Sequence, residues 1–497
     1  MKLPMSKTSI TLYLTLMSLF MVGIRWIYKD LPLEMDSATY SKIAEGILNG
    51  GRLYSDYWDI KPPPIFMLYA LAQLVAGTGG AHILFLSITA SLATLLGIFT
   101  AARQGPGGDK TGLYAALLWT IVSADRIMQG NYPNTEIFIN ALLVWATALT
   151  LTLLTQAQTP KKLFLIGVLF ALASLFKHVC AIPAAFISLA YLYLKWKEGL
   201  TKQGLQFVFF IGATGVLAWA LMFSYFYYNQ RLPEAWDALV TFNRGYAGNM
   251  TANILSLLNP LTAFPPNIFR FNLILVLTSC LGISWIYKEK ISRRTWIFLA
   301  YLTGSGIAVA LPGKFHAHYY LLWIPALCIG STWAIERVIS SKRALQFHLV
   351  YLLMCCILLS YQATQIHMPM YKVPEIGPRL AYNYLLSRLI SQQLDSGESF
   401  LQWGHNVELY YYTGHQPPIG ELRAGHILDG SRGKQRVEKV LLELKKNPPP
   451  LVILARGWKF REAHPVESWI DNNYHELLID YPKSVPNIGI KFYKLNK

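Results

Sequence analysis

Apolar stretches close to the length of a bilayer crossing follow one another through most of this chain. A hydrocarbon core needs about 20 apolar helical residues to cross it. About eleven such stretches are read at 8–28, 82–102, 112–128, 136–155, 162–177, 181–195, 205–226, 269–287, 295–311, 319–337 and 345–364. In lipid a backbone must satisfy its own hydrogen bonds, so these stretches are expected to be helices. Only 14% of the residues are charged, against about 25% in soluble domains. The expected fold is an all-α polytopic membrane domain over 1–365, followed by a small α/β domain over 366–497. The stretch from Ile10 to Trp26 has no small-residue cleavage site before Arg25, so it is read as an uncleaved first span. Spans 162–177 and 181–195 are short enough to form a broken hairpin.

The formal charge of +17 does not imply a nucleic-acid partner, because of where the charge lies. From His367 onward there are roughly 17 basic and 13 acidic residues, close to balance. The excess is carried by alternate short loops with Lys2/Lys7, Arg103/Lys110, Lys161/Lys162, Lys195/Lys197/Lys202, Lys288/Lys290/Arg293/Arg294 and Arg337/Lys342/Arg343. Cytoplasmic loops are rich in Lys and Arg. That puts the N-terminus inside, and the loops at 29–80, 129–135, 227–268 and 312–318 outside together with the C-terminal domain. The five cysteines, Cys180, Cys280, Cys328, Cys355 and Cys356, lie in or beside apolar runs and are read as structural thiols, with no disulfide or zinc spacing.

The loop at 29–80 is the most patterned part. It reads Asp36-Ser-Ala-Thr-Tyr40-Ser-Lys-Ile-Ala44, then Gly51-Arg-Leu-Tyr54-Ser-Asp56-Tyr-Trp-Asp59-Ile-Lys61-Pro62-Pro63. Tyr40, Ile43, Ala44 and Ile47 form a stripe at helical spacing, predicting an interfacial helix over Ser37–Leu48. Pro62-Pro63-Pro64 opens a second, over Ile65–Val75, too short to span. The C-terminal region predicts a helix at Pro378–Leu394, a strand at Phe400–Gly404, a helix at Gly433–Lys446, a strand at Leu451–Ala455, a helix at Pro465–Asn473 and strands at 476–481 and 488–495.

Asp36, at the mouth of the first outer loop, is a candidate general base for an acceptor hydroxyl. It is equally suited to cap the helix that follows. Glu34 is its neighbour and competitor. Glu136 opens the fourth span on the same outer face and is a second carboxylate for orienting an acceptor or holding a divalent cation, the one candidate cofactor. The same residue suits the electrostatics of a helix start. Lys61, Lys177 with His178, and Lys314 with His316 and His318 supply cations at the outer boundary. Such cations bind a lipid phosphate and neutralise it as a leaving group, or snorkel to the headgroups. His316 and His318 lack a third metal ligand nearby in sequence. Arg244 and Tyr246 are candidates for touching sugar or phosphate.

The run Asp-x-x-x-Tyr-x-x-x-Ala, Gly-x-x-Tyr-x-Asp, Asp-x-Lys-Pro-Pro resembles the first outer loop of the GT-C glycosyltransferases, in the branch of protein O-mannosyltransferases and lipid A aminoarabinose transferases. Thr135-Glu136, Lys177 after Leu-Phe, Lys-Phe-x-x-His-Tyr at 314–319 and Trp403-Gly404 with Tyr410 are similar to the same class. The resemblance implies a GT-C-like membrane domain and a polyprenyl-phosphate-linked sugar donor. It also implies transfer with inversion to a lipid, glycan or protein hydroxyl on the extracytoplasmic face. Asp36 would be the base. Lys61, Lys177 and Lys314 would bind the donor phosphate, Glu136 would shape the site, and Tyr40, Tyr54, Asp59, His178, His318 and Arg244 would line it. Relatives often carry Asp-Glu where this chain has Asp36-Ser37. The expected location is the bacterial inner (plasma) membrane. A flippase of lipid-linked sugars and a glycan polymerase or ligase are the alternative readings.

Overall fold

The computed structural model describes residues 5–105, 107–286, 292–338, 344–372, 382–428, 432–455, 464–479 and 490–496. Each of the eleven expected spans overlaps helical structure, from Lys7–Ile27 to Ala344–Ile366, although the helix in the span expected at 112–128 ends at Val122. Seven helical stretches among the described residues are long and apolar enough to cross a membrane, and the chain is a multi-span membrane protein. The other four segments hold shorter or less apolar helices. The expected span at 319–337, for instance, divides into a 3-10 turn at Ala317–Trp323 and an α-helix at Ile324–Val338. Pro325 explains the change, since proline is tolerated only in a helix's first turn.

The chain forms two compact units. One comprises Met1–Asp30, Ile83–Met222 and Asn249–Met368; the other comprises Leu31–His82, Phe223–Gly248 and Pro369–Lys497.

The first unit is a helical bundle with polar staples. Arg25, near the end of helix Lys7–Ile27, is 2% exposed. It donates to Ser91 Oγ at 2.6 Å, Ser87 Oγ at 3.1 Å and the Ser123 carbonyl at 3.1 Å. A buried guanidinium has to be hydrogen-bonded, and these acceptors tie the first helix to two others. Asp125 is fully buried and accepts from Asn272 Nδ2 at 2.8 Å and Gln365 Nε2 at 3.0 Å. Small residues allow close helix approach: a Cβ on Gly304 would stand 2.7 Å from Pro183 Cα. Between helices Pro160–Phe176 and Ala181–Lys197 the backbone extends at Lys177, φ −157° and ψ 115°.

The second unit contains helices Met35–Leu48 and Pro64–Ala76. The expected interfacial stripe on the first is not exposed. Polar residues Ser41 and Lys42 are buried along with Tyr40 and Ile43, because the helix is covered on both faces and its polar groups find partners. Gln73 Nε2 donates to the Ser41 carbonyl at 2.9 Å and Lys42 pairs with Glu45 at 2.9 Å. The second helix exposes Leu71, Leu74 and Val75, consistent with an apolar boundary. Segment 232–247, read as loop, holds short helices and a π turn at Asp237–Thr241.

The C-terminal part builds a four-stranded sheet from β1 (Phe400–Trp403), β2 (Leu451–Ala455), β3 (Tyr474–Leu477) and β4 (Ile490–Leu495), in the order β1-β2-β4-β3. β1 and β2 are parallel and the other pairs antiparallel. A parallel pair needs a crossover, which contains helix Gly433–Lys446. Its Val437, Val440 and Leu444 bury against Leu401, Val452 and Ile470. The expected helix at 378–394 is described only as Asn383–Ser391. Residues 378–381, 480–481 and 488–489, part of the expected helix and strands, lie outside the described residues.

Candidate active site

Helix Met35–Leu48 begins with two acidic residues in competition for one task, and Glu34 takes it. Glu34 Oε1 accepts from Ser37 N at 2.5 Å and Oε2 from Asp36 N at 2.7 Å, so Glu34 caps the helix. The alternative reading of Asp36 as the cap is corrected by this geometry. A helix's first N–H groups are the ones lacking partners, and Glu34's longer side chain spans two of them. Burial, and then the charge of Asp36, push the Glu34 carboxyl up to about 7.

Asp36, relieved of capping, points to a residue from the far end of the chain. Arg423 Nη2 donates to Asp36 Oδ1 at 2.7 Å and to Thr39 Oγ1 at 2.9 Å, and Arg423 Nε donates to Thr39 Oγ1 at 3.3 Å. Both partners of the ion pair are largely buried, with side chains 8% and 12% exposed. Arg423 was not singled out in the sequence. Its one signal is a charged pair, Glu421 and Arg423, set among small and apolar residues in Pro417-Pro-Ile-Gly-Glu-Leu-Arg-Ala-Gly-His426.

Asp59 and Lys61 lie on the loop between the two helices of the second unit, and both are buried. Lys61 N donates to Asp59 Oδ1 at 2.9 Å, and the Lys61 carbonyl accepts from the Tyr54 hydroxyl at 2.7 Å. Burial raises the Asp59 carboxyl above its usual range, opposed by the charges of Arg423 and Lys61. Arg423 itself is raised: burial works against its charge, but Asp36 and Asp59 overcome it. His426 is held well below its ordinary value by burial first and then by Arg423 and His405, so it is neutral at pH 7. Its ring meets Trp58 and Phe242 edge-on at 5.5 and 5.6 Å. Glu34, Asp36, Asp59, Lys61, Arg423 and His426 thus belong to one unit, with the Arg423 guanidinium facing both Asp36 and Asp59.

Tyr40 and Tyr54, expected to line the site, are 1% exposed. Tyr40 packs edge-on against Phe66 and Tyr69. Tyr54 takes a left-handed backbone, φ 69°, to reach the Lys61 carbonyl. Both hold the loop in shape. Arg244 is exposed on the short helix Phe242–Ala247.

In the first unit, Glu136 and Lys177 are brought together. Lys177 Nζ donates to Glu136 Oε1 at 2.9 Å and lies 3.3 Å from the centroid of the Tyr319 ring. Thr135 Oγ1 donates to Glu136 Oε2 at 2.9 Å. The break at Lys177 aims the lysine at this carboxylate. His318 is buried, edge-on to Tyr319 at 4.8 Å, while Lys314 and His178 are exposed. Among the described residues no group of three or more His, Cys, Asp or Glu side chains is arranged to hold a metal ion.

Residues 60–226 match the family model described as dolichyl-phosphate-mannose-protein mannosyltransferase. The chain is similar in structure to ArnT from Cupriavidus metallidurans bound to undecaprenyl phosphate, at 12% identity and a TM-score of 0.58 over 98% of each chain. It is also similar to the oligosaccharyltransferase AglB from Archaeoglobus fulgidus in complex with an inhibitory peptide and a dolichol-phosphate. That match has 12% identity and a TM-score of 0.56, over 99% of this chain and 74% of that one. The arabinofuranosyltransferase AftD from Mycobacteria matches at 13% identity and a TM-score of 0.54, over 100% of this chain and 40% of that one. No curated protein matches by sequence. The fold is that of the GT-C glycosyltransferases, and the resemblance read from the first outer loop is borne out by both the family model and the structural matches.

Proposed function

We propose that this chain is a membrane glycosyltransferase that moves a sugar from a polyprenyl-phosphate donor to an acceptor hydroxyl on the extracytoplasmic face, with inversion. The observation that carries the reading is the placement of Asp36. It is a buried carboxylate at the start of a helix that Glu34 caps, and its Oδ1 accepts from Arg423. The likeness to ArnT bound to undecaprenyl phosphate and to AglB with a dolichol-phosphate supports a lipid-phosphate donor.

In this reaction the acceptor oxygen attacks the anomeric carbon opposite the phosphate. The bond from that carbon to the phosphate oxygen breaks and its electron pair leaves with the phosphate. Asp36 takes the hydroxyl proton, because a base is needed only as the oxygen becomes a cation. Lys61 supplies positive charge to the departing phosphate. Lys177 is engaged by Glu136 and Tyr319 within the first unit, and Lys314 keeps its assignment as a candidate phosphate-binding cation. The acceptor is a lipid, glycan or protein hydroxyl. The likeness to an oligosaccharyltransferase also favours a second reading, in which the donor carries a larger glycan.

The test uses purified protein in liposomes with radiolabelled polyprenyl-phosphate sugars and membrane acceptors. Label is expected on the acceptor with opposite anomeric configuration to the donor. Label that crosses the bilayer while still attached to its lipid, with no transfer, would instead establish a carrier.

A further inference from the structure

We propose that Arg423 is a positioning residue for the base: the C-terminal part of the chain sets the orientation and charge of Asp36. This rests on Asp36 being the base, as proposed above. Three observations carry it.

The guanidinium grips one face of one helical turn. Asp36 and Thr39 are three residues apart, neighbours on the helix surface, and Arg423 donates to both. Thr39 cannot turn away, because its own hydroxyl proton is donated to the Met35 carbonyl at 2.7 Å. Its oxygen therefore presents lone pairs to the arginine. With Thr39 holding the guanidinium on the same turn, the arginine's donor is aimed at Asp36 Oδ1.

The segment carrying Arg423 is itself clamped. Trp58 N donates to the Gly420 carbonyl at 3.1 Å, Gln402 Nε2 to the Leu422 carbonyl at 2.6 Å, and Ala424 N to the Gly404 carbonyl at 3.1 Å. Gly420 lies so close to the first loop that a Cβ there would stand 1.9 Å from the Asp56 carbonyl oxygen. The end of β1 and the loop before Asp59 thus fix the arginine's backbone on both sides, and a rigid support is what a preorganised base requires.

The charge count is the third. Asp36 is faced by Glu34 two residues before it, Asp59 on the loop with Lys61 beside it, Tyr69 on helix Pro64–Ala76, and Arg423 and His426 on the C-terminal segment. Arg423 faces both Asp36 and Asp59. Without it, Asp36 and Asp59 would lose the guanidinium charge that both of them face, with the Glu34 carboxyl still beside Asp36, and the loss favours their protonated forms. A protonated Asp36 cannot accept a proton from the substrate.

The experiment measures transfer by full-length protein in liposomes for wild type, Arg423→Gln, Arg423→Lys, Thr39→Val and Asp36→Asn, across pH and donor concentration, with melting temperature alongside. Arg423→Gln is expected to lower kcat about 100-fold, the scale of a misplaced catalytic group. Donor KM should stay within about threefold, and the acidic limb of the kcat–pH profile should move to higher pH. Arg423→Lys, which restores charge without the fork, is expected to return the pH limb but only about a tenth of the rate. If Arg423→Gln fails to fold, Thr39→Val decides, with an expected kcat loss of about fivefold at unchanged melting temperature, since one of two anchors is gone. Wild-type kcat in Arg423→Gln, or in Thr39→Val where that variant decides, would overturn the role. A loss carried wholly by donor KM would overturn it too, since Arg423 would then be reading the donor phosphate. An active Asp36→Asn would instead overturn the base on which the proposal rests.

Discussion

Glu34 accepts the backbone N–H of Asp36 at 2.7 Å, so the acidic residue two positions before the candidate base performs the capping that the base would otherwise perform. The two carboxylates, two positions apart, are divided into a structural and a chemical role by that single contact. Their closeness has an electrostatic consequence for Glu34, which is buried and faces the Asp36 charge.

Stability is expected to depend on pH through Glu34. Its carboxyl is raised from the ordinary 4.5 to about 7 in the folded protein, by burial first and by Asp36 second. The folded state therefore holds the proton more tightly than the unfolded state. This contribution is fully present below about pH 4.5 and is lost as pH rises through about 7. Melting curves in detergent between pH 4.5 and 8 should show this fall in wild type and a flatter profile in Glu34→Gln, which carries no titrating group. Parallel profiles in the two proteins would contradict the assignment.

The Glu136–Lys177 pair should be more sensitive to losing one partner than both. Their side chains are 1% and 7% exposed. Removing one member of a buried ion pair leaves an uncompensated charge and costs about 3–5 kcal/mol, while replacing both with apolar groups is often near neutral. Lys177→Met is expected to lower the melting temperature strongly, and Glu136→Gln/Lys177→Met to recover most of it. A double variant as unstable as the single would sink the account.

Gly420→Ala should disturb the site without touching a charged residue. The added methyl would meet the Asp56 carbonyl, a backbone atom that cannot rotate aside. Overpacking of this kind costs about 1–3 kcal/mol, and the strain falls between the first loop and the segment carrying Arg423. Reduced transfer together with a lower melting temperature is expected; wild-type values for both would show that the close approach is not needed.

What was legible in the sequence follows from how local each signal is. Span-length apolar runs, the proline start of helix Pro64–Ala76 and the strands Phe400–Trp403 and Leu451–Ala455 depend on residues near one another, and each was read in place. The first-loop pattern also pointed to the fold class. The Asp36–Arg423 pair joins residues 387 positions apart, and no periodicity or spacing connects them. Asp36 and Glu34 both suit a helix start, so only the backbone path could choose the cap. The stripe of Tyr40, Ile43, Ala44 and Ile47 predicts an interfacial helix, yet the polar Ser41 and Lys42 of that helix are buried as well, with Gln73 and Glu45 as partners.

The central claim is that Asp36 accepts the acceptor's proton. The most direct measurement is the single-turnover rate of sugar transfer from a polyprenyl-phosphate donor by wild type and Asp36→Asn in the same liposomes, with donor binding measured in parallel. Asparagine keeps the size of the side chain and its contact with Arg423 but cannot take a proton. The account predicts donor binding within about threefold and a transfer rate reduced at least about 100-fold, the span expected of a positioned general base. A variant that binds donor and transfers at the wild-type rate would contradict it.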